Sequence, residues 1–202
     1  MMELLTLLGL IAIGAYTLKL KDQNRRIALL GSHLGRQQIE KLMESLTEGY
    51  ARALGESDPE RRAQIWALLN HSETQLCEQF NRFVAEFSSV DAADDRVSKL
   101  PLAFPYADKL FPGATFDLRQ ALVIHAHGIT QATTNSGHQT AKGRAFTLSA
   151  ELFLMQHTCH WFCRSKTVAS ARMLARHKTS YAQLLEAVAP DTRNAYRALL
   201  GR

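Results

Sequence analysis

The stretch LLTLLGLIAIGAYTL, from Leu4 to Leu18, carries no charge, and Met1 and Met2 extend the apolar run around the single Glu3. Such a segment must leave water, because each Å² of apolar surface removed from it is worth about 25 cal/mol. The run is close to the lower limit for crossing a bilayer, for which about 17 to 25 residues are usual. The flanks favour lipid. A secretory signal places positive charge before its apolar segment and a small-residue cleavage site after it, whereas here Glu3 precedes and Lys19, Lys21, Arg25 and Arg26 follow. Residues 1–20 therefore read as an uncleaved anchor, with Leu4, Leu7, Leu8, Leu10, Ile11, Ile13, Tyr16 and Leu18 as its membrane-facing set. Because Lys and Arg collect on the cytoplasmic side of inner membranes, the expected address is the inner (cytoplasmic) membrane, N-terminus outside and the remaining chain in the cytoplasm. The competing expectation is an apolar helix buried in a soluble core. Gly9 and Gly14 are five apart and miss the i, i+4 spacing of a close-packing helix pair, so self-association is not indicated either way.

Residues 21–56 read as a juxtamembrane linker followed by an amphipathic helix: a mostly polar segment with a join near Gly31 and Gly35, then Ile39, Leu42, Met43, Leu46, Tyr50 and Leu54 on one helical face. Residues 57–202 read as a helical domain. Ser57-Asp58-Pro59-Glu60 is a helix start with a capping residue ahead of proline, and Ile65, Leu68, Leu69, Leu76, Phe80, Phe83, Val84 and Phe87 carry a helical stripe onward. DAADD, Asp91 to Asp95, ends it. A proline-punctuated connection over 97–116 follows, then a helix from Asp117 with Leu118, Ala121, Leu122, His125 and Ile129 on one face. TQATTNSGHQTAKGR, Thr130 to Arg144, predicts a mobile loop. A long helix is expected from Ala145 to Arg176, and short ones over Tyr181 to Val188 and Asn194 to Leu200. With no sustained period-two alternation the fold class is all-α: an N-terminal transmembrane or apolar helix followed by a bundle-like domain.

The net charge of +5 is unevenly spread, residues 142–202 holding 10 Lys/Arg against 3 Asp/Glu. The last third is a basic module, with Arg164, Lys166, Arg172, Arg176 and Lys178 as its expected surface. Near an anchor such a face suits an anionic membrane surface, where each basic residue contributes about 1 kcal/mol. It could also follow a nucleic-acid backbone, although Trp161 and Phe162 precede the charges rather than interleave them as stacking platforms do.

Two histidines and two cysteines fall within MQHTCHWFCR: His157, Cys159, His160 and Cys163. They are the chain's candidate metal ligands, since a zinc site takes four Cys, His or carboxylate ligands. The covalent haem pattern C-x-x-C-H is absent in order, and His157 with His160 is the remaining arrangement for a haem iron. On a helix, however, the cysteines turn toward Leu152, Met155 and Phe162, where a free thiol acts as a small hydrophobe. His125 lies on an apolar stripe and reads as a core histidine. SGHQTAKGR lacks the order of a phosphate-binding loop, and no nucleophile turn or oxyanion loop is recognisable, so the reading leans away from an enzyme. The leading expectation is a single-pass, membrane-anchored accessory or scaffold protein that works through protein contacts and needs no cofactor, its partner a membrane protein complex or the anionic membrane surface. A nucleic-acid-binding regulator and a metal or haem protein are the alternatives.

Overall fold

The computed structural model describes residues 2–201. The chain is all-α, 78% helical, with nine α-helices and a two-stranded sheet among the described residues. Helix α1 (Met2–Leu34) is one unbroken element, about 50 Å long at 1.5 Å per residue. It ends at Gly35, where a Cβ would lie 2.8 Å from the carbonyl oxygen of Gly31. Helix α2 (Ile39–Gly55) and helix α3 (Pro59–Phe87) form a hairpin. Helix α3 starts as expected: Asp58 accepts from the N–H groups of Glu60 and Arg61, with Pro59 in the first turn.

The proline-rich connection contains more order than its composition suggested. Strand β1 (Arg96–Ser98) pairs antiparallel with β2 (Thr115–Asp117), and helix α4 (Ala107–Leu110) lies between them. Arg119 closes this unit, its guanidinium donating to Asp95 at 2.6 Å, Asp117 at 3.1 Å and the Val90 carbonyl at 3.0 Å.

Helix α5 (Leu118–Thr133) and helix α6 (Ala141–Cys163) then pair. The expected loop over Thr130 to Arg144 shrinks to residues 134–140, because two left-handed residues, Asn135 and His138, turn the chain tightly. Asn135 and Gln139 clamp that turn with reciprocal hydrogen bonds of 3.0 and 2.8 Å. Arg144, expected at the end of that loop, is in helix α6 and pairs with buried Glu73 at 3.2 Å.

Helix α6 is the axis of the domain, 12 of its 23 residues being buried, and it touches α1, α2, α5, α7, α8 and β1. The single helix expected from Ala145 to Arg176 is two. Ser165 caps a new start by accepting from the N–H of Val168, and helix α7 (Lys166–His177) folds back antiparallel to α6, bringing Ser170 to His157 and His177 to Gln156. Helices α8 (Tyr181–Ala187) and α9 (Pro190–Leu200) close the other side. The core is one contiguous cluster from Leu30 to Leu200, in which Phe80, Phe83 and Phe87 are fully buried.

Candidate functional site: the root of the apolar helix

Helix α1 is long and apolar enough to span a membrane, and none of its 18-residue apolar window is buried against the protein. Leu4, Leu7, Leu8, Leu10, Ile11, Ile13, Tyr16 and Leu18 are all exposed. This departs from the soluble-core alternative: among the described residues none buries this segment. From Met2 to Leu20 the exposed helix is about 28 Å long, close to the ~30 Å hydrocarbon thickness. Continuous helix supplies length that the uncharged run alone lacks.

The change from exposed to buried is abrupt. Asp22, Gln23 and Arg26 are buried, although as sequence they belong to a polar linker. Arg26 is the hub: Nε donates to Asp22 at 3.2 Å, Nη2 to Asp108 on α4 at 2.9 Å and Nη1 to the carbonyl of Arg96 at 2.7 Å. Its guanidinium also lies 5.2 Å from the Phe162 ring centroid. Gln23 accepts from Arg164 at 2.7 Å, and Arg25 reaches Asp94 at 2.6 Å. The expected linker is therefore a clasp. Its residues were legible as an i, i+4 Asp22/Arg26 pair directly behind an apolar run, but their partners, Asp108 and Arg96, lie too far along the chain to be read by spacing.

Below the clasp, Ile27, Leu30 and Leu34 share an apolar groove of about 190 Å³ with Met155, Cys159 and Cys163. Of the candidate ligands, His160 borders this groove with Cys159 and Cys163, while His157 turns to another side of α6. His157 is fully buried, stacks on Tyr181 with centroids 4.6 Å apart and pairs through Nε2 with Ser170 Oγ at 3.0 Å. Burial, with Lys166 and His160 nearby, pushes its pKa down to about 3. His160 stands between that groove and Gln156, Arg172, Arg176 and His177 on its other side, and burial with Arg172, Arg176 and His177 nearby holds its pKa below the ordinary value. Cys159 lies 3.8 Å from the Met155 sulfur, and burial pushes the Cys163 thiol up to about 11, away from the thiolate that metals bind. Among the described residues no group of three or more His, Cys, Asp or Glu side chains could hold a metal ion.

His125 occupies the core, its Nε2 2.9 Å from Thr158 Oγ1, which in turn meets the Tyr196 hydroxyl at 2.8 Å. The basic face expected over Arg164 to Lys178 is divided by the fold. Arg164 serves the clasp, and Lys166 lies over the rings of Trp161 and Tyr181, 5.1 and 4.8 Å from their centroids. Arg172 and Arg176, on the part of α7 that runs away from the clasp, and Lys178 just past its end are exposed.

These features define a class of molecule, a helical domain clasped to a bare apolar helix. Compared with known proteins, the chain matches no family model, no curated protein and no solved structure.

Proposed function

We propose that this protein is a single-pass inner-membrane protein whose helical domain stands in the cytoplasm and works as an accessory or scaffold subunit of a membrane protein complex. The observation that carries the reading is the continuity of α1, which is bare over its apolar half and clasped into the domain by Arg26 over its second. A flexible tether would let the domain wander; one helix with three buried polar residues just past its bare part holds it at a set height and orientation. That arrangement suits a subunit presenting a fixed face to neighbours in the same membrane. The orientation rests on Lys19, Lys21, Arg25 and Arg26 following the apolar run.

Two measurements test this reading. Membranes washed with alkaline carbonate should retain the full-length chain, and its appearance in the supernatant overturns the anchor. Affinity purification in mild detergent should then recover stoichiometric membrane partners; a chain that elutes alone, or with nucleic acid lost on adding salt, overturns the accessory role.

A further inference from the structure

The connection between the two short strands holds large apolar side chains facing solvent: Leu102 is 69% exposed, Phe104 52%, Leu110 59% and Phe111 48%. Surface connections are ordinarily polar, and apolar residues gathered into one patch mark an interaction site. Phe104 and Phe111 meet edge to face with centroids 6.2 Å apart, so they form one surface. That surface is ordered. Thr167 donates to the Pro101 carbonyl at 2.6 Å, Asp108 is held by Arg26, and Tyr106 sits in the left-handed region at φ 53°, a conformation that persists only where its surroundings hold it.

Its position in the molecule identifies the occupant. Leu102 and Phe104 line a cleft together with Lys19, Asp22 and Arg26 of α1. Lys19 is the first charge after the apolar run, and Arg26 lies about 10 Å further along the helix axis. The polar layer on each side of a bilayer is about 5 to 8 Å deep. A patch level with Lys19 to Arg26 thus stands where headgroups meet acyl chains, the depth at which an amphipathic surface beds its apolar side. The charges agree: Lys19 lines the same cleft as Leu102 and Phe104 and Lys109 lies within the segment itself, while Asp108 and Asp94 are taken up by Arg26 and Arg25. Lys109 further packs over Tyr106, 5.6 Å from its centroid, joining cation and aromatic as at membrane interfaces.

We propose that residues 100–111 are a second membrane contact, with Leu102, Phe104, Leu110 and Phe111 bedded in the interface of an anionic bilayer beside the emerging α1. This rests on the anchor reading and deepens it: with two points of contact the domain neither tilts nor spins about α1, so its distal face is presented to partners in one orientation.

The test uses the full-length protein in vesicles containing phosphatidylglycerol, with bromine placed near the headgroup end of the acyl chains in one set and near their terminal end in another, so that position 104 and mid-span position 10 each have a quencher at their own depth. Single variants Leu10→Trp, Phe104→Trp and Phe146→Trp are each read against the wild-type signal from Trp66 and Trp161. Phe146 is exposed near the far end of α6, about 25 Å from Cys163 along the helix, and serves as the distant control. Quenching of Leu10→Trp and Phe104→Trp, several-fold above Phe146→Trp and with blue-shifted emission at position 104, is the expected result. If Leu10→Trp is quenched while Phe104→Trp behaves like Phe146→Trp, the second contact is overturned and the anchor stands. An unquenched Leu10→Trp overturns the anchor itself. Should Phe104→Trp fold poorly by circular dichroism, Leu102→Trp gives the same reading from the same patch.

Discussion

Arg26 is the residue on which most of the geometry turns, because it neutralises Asp22 and Asp108 where both are buried. Removing one partner of a buried ion cluster leaves uncompensated charge and costs about 3–5 kcal/mol. Arg26→Ala should therefore lower the denaturation midpoint of the detergent-solubilised protein sharply, whereas Arg25→Ala, which breaks an exposed pair with Asp94 and a long 3.5 Å contact with Asp22 that Arg26 still neutralises, should change stability by only ~0–1 kcal/mol. A second residue acts through pH. Glu151 is fully buried on α6, accepting from the Ala189 N–H at 2.9 Å, and burial pushes its pKa up to about 7 despite that bond and the nearby Thr192 hydroxyl. Its folded-state pKa is raised above the unfolded one, so its contribution is fully present below the ordinary carboxylate value and is lost as pH rises to about 7. Wild type should lose thermal stability over that window relative to Glu151→Gln, a difference visible in paired melts across pH. The adjoining Gly128 is required by this packing, since a Cβ there would collide with Thr192 and with the Glu151 carboxylate.

Among the elements, α1 makes the strongest demand on its surroundings. Its apolar half is bare, and a charge at the bilayer centre costs about 2.5–3.5 kcal/mol on insertion scales. Ile11→Arg should shift the full-length protein from the carbonate-resistant membrane fraction toward soluble or aggregated material, as a blot of the fractions would show. The helix was legible because an uncharged run with one-sided basic flanks needs no tertiary information to be recognised. The start of α3 was legible too, through Asp58-Pro59. The division between α6 and α7 was not: a single serine at 165 is a permitted helix residue as well as a cap, and local spacing cannot choose between them. Tertiary packing chose, because α7 folded back places Ala169 and Met173 in the core and Ser170 against His157. The same fold-back dispersed the expected basic face and set His157 and His160 in different surroundings. The apolar loop carries a sign in the sequence as well, four large apolar residues, Leu102, Phe104, Leu110 and Phe111, within a proline-punctuated connection.

Over the whole molecule, the core runs unbroken from the last turns of α1 through α3, α5 and α6 to α9, so the clasped end of α1 belongs to the same cooperative unit as the domain. Phe83, fully buried between Phe80 and Phe87, tests this. Phe83→Ala should cost about 3–5 kcal/mol, and its unfolding followed by circular dichroism and by tryptophan emission should coincide in one transition; separate transitions would show that α1 and the domain melt apart. The amino-acid sequence by itself determined the all-α class, the apolar N-terminal helix and several helix starts, because hydrophobic period, charge flanks and capping residues act over a few neighbouring positions. Only the tertiary structure decided that Asp22, Gln23 and Arg26 form a clasp, that α7 turns back on α6, and that Phe104 and Phe111 stand beside the root of α1. Each of these depends on partners many residues apart, whose meeting is set by the packing of the whole core.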